Sequence, residues 1–223
     1  VWVFRAAGLP ARFNDLVELE MLRPEEARRL NRHLCLLERL RIQLHLTARR
    51  REDRLLFEFQ ERLAGDLGFK AHGARRASEL LMQQYYLAVR ELSLANEYLL
   101  GCLRLRLRPP LPAEVIAGAP GFRRLGGMLD IQEVDQFERH PETIFDAFLI
   151  LQRNDDLHGL TPRTLRALWR AGHAIDTAFR RDPAQAARFL AILREPRGVT
   201  LAFRVLHRLG ILGRYIPLFG RIT

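Results

Sequence analysis

Leu80-Leu81-Met82-Gln83-Gln84-Tyr85-Tyr86-Leu87-Ala88-Val89-Arg90-Glu91-Leu92-Ser93-Leu94-Ala95-Asn96-Glu97-Tyr98-Leu99-Leu100-Gly101-Cys102-Leu103 is the stretch whose periodicity sets the fold class. Leu81, Tyr85, Ala88, Leu92, Ala95, Leu99 and Cys102 recur four and three residues apart, an apolar seam sustained over four heptads. The spacing predicts one helix from about Ala74 to Leu103, roughly 40 Å long at 1.5 Å per residue. Such a seam can pair with a second copy of the chain or pack against another helix of the same chain, and a second amphipathic stripe upstream favours the latter.

That upstream stripe is Leu30, Leu34, Leu37, Leu40 and Leu44. It follows Pro24-Glu25-Glu26, where proline presets the first helical turn and the carboxylates face the positive end of the helix dipole. Asp53 is positioned to cap a second helix carrying Leu56, Phe59, Leu63 and Leu67, which Gly68 ends. Downstream, the run from Arg108 to Gly121 is too rich in proline to continue a helix. Gly126-Gly127 then separates two short apolar segments, Phe122 to Leu125 and Met128 to Ile131, as in a tight hairpin. Three further helices are predicted to begin at His140-Pro141, Thr161-Pro162 and Asp182-Pro183, each pairing a capping residue with a first-turn proline. The expected fold is all-α: a helical bundle built around one long helix, with a small β-hairpin near 122–131 and a second helical subdomain. The expected domains are residues 1–107, a Pro-rich connection at 108–121, and residues 122–223.

Composition narrows the function. The 223 residues are 48% hydrophobic, enough for a substantial core, and carry a net charge of +10. Lys70 is the one lysine, so the basic residues are otherwise arginine. Acidic residues accompany the arginines along most helices, which argues against a nucleic-acid surface. No apolar run approaches the roughly 20 residues of a membrane span. Cys35 and Cys102 stand far apart without a CxxC spacing, as two reduced thiols of a cytoplasmic protein would. The opening Val1-Trp2-Val3-Phe4-Arg5 has neither an initiator methionine nor a signal-peptide pattern, so a piece of a longer chain is expected.

Searches for chemistry end in absences. Asp130 and Glu133 follow Gly126-Gly127 too closely for the paired carboxylates of a nucleotidyl-transfer site. None of the seven histidines precedes an aspartate and no HExxH occurs, so no metal ligands are assigned. Neither serine lies in a GxSxG elbow, and no catalytic residue is assigned. The candidate for recognition is Arg49-Arg50-Arg51-Glu52-Asp53-Arg54. Guanidinium groups bind phosphate bidentately, and a helix starting near Asp53 would add N–H donors. Internal Arg-to-carboxylate pairs holding a helix–helix turn are the competing reading. Tyr86 is a weaker candidate, for stacking on a base.

Two segments are more specific than any of these: Arg50-Arg51-Glu52-Asp53-Arg54-Leu55-Leu56-Phe57 and Leu212-Gly213-Arg214-Tyr215-Ile216-Pro217-Leu218-Phe219-Gly220-Arg221-Ile222. With Met82-x-x-Tyr85-Tyr86, Phe137-Glu138-Arg139 and Arg197-Gly198-Val199, they make the chain resemble the bacterial PII uridylyltransferase/uridylyl-removing family over nearly its whole length. The resemblance implies the helical region between a nucleotidyltransferase domain and an HD domain, in a cytoplasmic bifunctional nitrogen sensor. Such an enzyme transfers UMP from UTP to the PII signal protein and removes it in response to glutamine. It further implies Mg²⁺ for the parent enzyme but no cofactor in this segment, and intramolecular contacts to both catalytic domains. Arg50, Arg51 and Arg54 would touch the nucleotide phosphates or a neighbouring domain. A stand-alone helical interaction module without enzymatic activity is the alternative.

Overall fold

The computed structural model describes residue 8 and residues 12–107 and 111–222. The chain forms two compact units, residues 1–96 and 97–223. The division falls inside the long helix and not at the Pro-rich run: prolines punctuate local structure, whereas compactness follows packing. Residues 108–110 of that run lie outside the described residues.

The first unit holds α1 (Asp15–Glu18), α2 (Pro24–Ala48), α3 (Phe57–Asp66) and the first part of α4 (Ala77–Arg106). Helix α2 starts as the sequence requires, with the Glu26 carboxylate accepting the Arg23 N–H at 2.7 Å. Leu40 and Leu44 of α2, Leu63 and Ala64 of α3 and Leu81 of α4 make the core, bordered by Leu55, Phe59, Leu67 and Tyr85. Leu63 and Leu81 are fully buried, worth about 1.5–3 kcal/mol each. The long helix therefore packs on α2 and α3 of its own chain. Along α4 the buried set is broader than the predicted seam: Leu94, Tyr98 and Leu103 are buried, whereas Leu92 and Cys102 are only half-buried.

The second unit contains the remainder of α4 and a small sheet of β1 (Ala113–Val115), β2 (Phe122–Leu125), β3 (Met128–Ile131) and β4 (Gly159–Leu160), in that order. Strands β2 and β3 pair antiparallel, Phe122 opposite Ile131 and Leu125 opposite Met128. Gly126 and Gly127 have φ of 55° and 77°, the positive angles that a two-residue hairpin turn demands. The expected hairpin is thus present, and β1 and β4 extend it on its two sides, β4 in parallel. Helices α5 (Gln136–Arg139), α6 (Thr143–Arg153), α7 (Pro162–Ala171), α8 (Thr177–Arg181), α9 (Pro183–Arg194), α10 (Val199–Arg208), α11 (Ile211–Tyr215) and α12 (Pro217–Ile222) complete the unit. The fold is mostly helical, as expected, with a small β portion.

Two of the three proline starts hold. Thr161 and Asp182 accept backbone N–H groups of Thr164 and Ala184 as true caps. His140-Pro141 does not start a helix, because His140 already closes α5; Thr143 opens α6 two residues after the proline and donates its hydroxyl to the His140 carbonyl at 2.7 Å. Among the described residues, no helix is long and apolar enough to cross a membrane.

Candidate functional site

The Arg49–Arg54 run is a turn between α2 and α3. Arg49 ends α2 in the left-handed region, φ 52° and ψ 25°, which a non-glycine residue enters at a cost of about 1 kcal/mol. The chain then folds around two carboxylates. Glu52 accepts the Arg54 backbone N–H at 3.0 Å and the Arg50 guanidinium at 2.8 Å. Asp53 reaches back to α2, accepting Arg41 Nε at 2.9 Å, with His45 Nε2 at 3.4 Å and Arg51 Nε at 3.6 Å. The Arg54 N–H, then the Arg50 side chain, hold the Glu52 carboxyl below its ordinary pKa. The Arg41 hydrogen bond, with His45 adding to it, does the same for Asp53. Both therefore stay ionised at neutral pH and keep the turn closed.

Asp53 is accordingly not the cap of α3. That helix starts at Phe57, after Leu56, and its side chain at the cap position makes no hydrogen bond. The expected N–H donors at Asp53 are thus displaced to the start of α3. Arg50, Arg51 and Arg54 are brought onto one short segment as expected, and all three are exposed. The turn is held by the internal Arg-to-carboxylate pairs of the competing reading: Glu52 and Asp53 engage Arg50 and Arg51, while the Arg54 side chain forms no hydrogen bond or ion pair among the described residues. Arg41 and His45, four residues apart on α2, were missed as members of the cluster; their shared helical face at the end of α2 is the signal that could have found them. Five arginines (41, 49, 50, 51 and 54) surround two carboxylates, so the cluster keeps a surplus of positive charge in water. It can hold an anion but offers no nucleophile. Tyr86 is exposed beside half-buried Tyr85, their rings edge to face at 5.4 Å.

In the second unit, polar groups serve architecture. Buried Asp130 accepts Arg123 Nε at 2.8 Å and the Thr161 hydroxyl at 2.6 Å, and lies 3.3 Å from Arg163, tying β2, β3 and the start of α7 together. Burial raises the Cys102 and Tyr98 pKa values, so Cys102 is an inert thiol at neutral pH. A cavity of about 320 Å³ is lined on its apolar side by Leu105, Met128, Leu160, Pro162 and Leu165, with Glu97 and Arg104 as its charged lining residues. The Leu212–Ile222 segment lies in two short helices. Tyr215 anchors them in an aromatic cluster, 4.9 Å from both Phe145 and Phe189 and 6.2 Å from Phe179.

Comparison with known sequences decides the family. Residues 1–100 match the family described as GlnD PII-uridylyltransferase, and residues 122–215 match the uridylyltransferase GlnD third domain. The chain belongs to the GlnD uridylyltransferase family. It is 44% identical over 222 residues to the bifunctional uridylyltransferase/uridylyl-removing enzyme of Nitrosospira multiformis, covering 100% of this chain and 25% of that protein. To the enzyme of the same name in Thiobacillus denitrificans it is 45% identical over 226 residues, covering 100% of this chain and 26% of that protein. The chain spans about a quarter of the length of the curated relatives it matches. No solved structure matches it. Among the described residues of this GlnD-family chain, no group of three or more His, Cys, Asp or Glu side chains could hold a metal ion. These described residues do not fit the Mg²⁺ that the resemblance implies for the parent enzyme.

Proposed function

We propose that this chain is the helical region of a bifunctional uridylyltransferase/uridylyl-removing enzyme that transfers UMP from UTP to the PII signal protein and removes it in response to glutamine. The observation that carries this reading is the likeness over the whole of this chain to a quarter of enzymes bearing that name. Its role is to position a nucleotidyltransferase domain and an HD domain in a cytoplasmic enzyme. The packing supports it: the buried Asp130 carboxylate and the Tyr215 cluster brace helices and strands, and the arginines of the Arg49–Arg54 turn stand in water.

In this reading Arg50, Arg51 and Arg54 contact UTP phosphates or the neighbouring catalytic domain. Glu52 and Asp53 fix the backbone so that several guanidinium groups face one region of solvent. A phosphate has the geometry to exchange with these exposed pairs, which contribute little to stability themselves. The test is UMP transfer from labelled UTP to PII. The full-length enzyme carrying this segment labels PII and the 223-residue chain alone does not; turnover of UTP by the chain alone contradicts the proposal.

A further inference from the structure

Helix α2 has a second face that neither the core nor the arginine turn uses. Arg28, Arg32, Cys35, Arg39, Ile42 and Leu46 follow one another four and three residues apart, and all six are exposed. At 100° per residue they fall within an arc of about 80°, opposite buried Leu30, Leu40 and Leu44. No acidic residue stands on the arc. The stripe is about 27 Å long at 1.5 Å per residue. Ile42 and Leu46 are 61% and 66% exposed, adjacent on the helix surface. Arg28 has a loose partner in Glu25 at 3.5 Å, and Arg32 and Arg39 form no side-chain hydrogen bond or ion pair among the described residues. The contrast with Arg29 and Arg41 on the same helix, paired with Glu91 and Asp53, is sharp.

We infer that this stripe seats an acidic amphipathic helix supplied by another part of the same long polypeptide. The inference rests on the reading of the chain as one region of a larger enzyme, three quarters of whose length lies outside it. The four-and-three spacing is what a second helix matches by side-chain interdigitation. The charge selects its sign: carboxylates would meet Arg28, Arg32 and Arg39, while an apolar ridge covers Ile42 and Leu46. A second copy of the chain fits badly, because a two-fold pairing sets these arginines against one another or against Ile42 and Leu46 and leaves every charge uncompensated. Nucleic acid fits badly too, since a phosphate backbone offers Ile42 and Leu46 nothing apolar to cover.

Cys35, in the middle of the stripe, reports on its cover. Peptide-resolved alkylation with N-ethylmaleimide is measured on the native full-length enzyme and on the same enzyme unfolded in guanidinium. Cys35 is expected to react about tenfold more slowly in the native enzyme, since thiol reactivity follows access. Arg32→Glu with Arg39→Glu restores the fast rate; should that variant not fold, 1 M salt on the wild-type enzyme gives the same acceleration while half-buried Cys102 stays slow. A native Cys35 as reactive as the unfolded one overturns the inference. So does protection that vanishes on dilution, which marks a second copy, or on nuclease treatment, which marks nucleic acid. PII labelling by the same preparation separately reports whether the larger reading holds.

Discussion

The Arg50–Phe57 turn and the Leu212–Ile222 pair of helices are the two most specific stretches of this sequence, and they use their residues in opposite ways. In the second, packing accounts for the leading half and the helix crossing: Leu212 is buried and Tyr215 sits in an aromatic cluster, whereas Pro217, Leu218 and Phe219 are exposed. A Cβ on Gly220 would lie 2.9 Å from the Gly213 carbonyl oxygen, so α11 and α12 cross where only glycine fits. Tyr215 fills the space among Phe145, Phe179 and Phe189, and Arg214 donates to the Gly172 carbonyl at 3.1 Å. In the first, packing accounts for little: the Arg50 and Arg51 side chains are 66% and 82% exposed and Phe57 is 91% exposed. Residues distinctive enough to mark a family, yet not required by the fold, are best explained by contact with something outside it.

The contrast is open to measurement. Tyr215→Ala should cost about 3 kcal/mol in urea unfolding of the chain, because an aromatic cluster does not collapse around the missing ring. Gly220→Ala follows at about 2 kcal/mol, the overpacking cost at a backbone crossing. Arg51→Ala should stay within about 0.5 kcal/mol of wild type, as exposed positions do. If Arg51→Ala costs as much as Tyr215→Ala, the turn is structural and the contrast fails. The smallest effect is with pH. The Glu52 carboxyl is held below its ordinary pKa by the Arg54 N–H, so its contribution is present above the ordinary carboxylate range and is lost as pH falls through the lowered value. The Arg54 amide should keep its exchange protection factor from neutral pH down through the ordinary carboxylate range and lose it only below that range. A loss that begins above the ordinary carboxylate range would contradict this assignment to Glu52.

Much of the fold was legible because its signals are local. Pro24-Glu25-Glu26 starts α2, the four-and-three seam makes α4, and Gly126-Gly127 makes the hairpin turn. What escaped notice depends on partners distant in sequence. Strands β1 and β4 have three and two residues and exist only through pairing with β2 and β3. Asp53 has the right chemistry for a cap, but Arg41 and His45 on the preceding helix claim its carboxylate. On α9, Leu190 and Leu193 are exposed, while Gln185 is buried; periodicity locates a stripe without fixing which neighbours cover it. At the candidate site, the pairing of the arginines with Glu52 and Asp53 inside the turn was legible, whereas the reach of Asp53 back to Arg41 and His45 could be assigned only from the folded chain.

The most direct test of the account is the Michaelis constant for UTP in the full-length enzyme with Arg51→Glu and Arg54→Glu together. The account predicts a rise of about tenfold or more, the loss expected when charge-assisted hydrogen bonds to a bound anion are removed, with the thermal unfolding of the enzyme unchanged. An unchanged constant in a folded variant would contradict it.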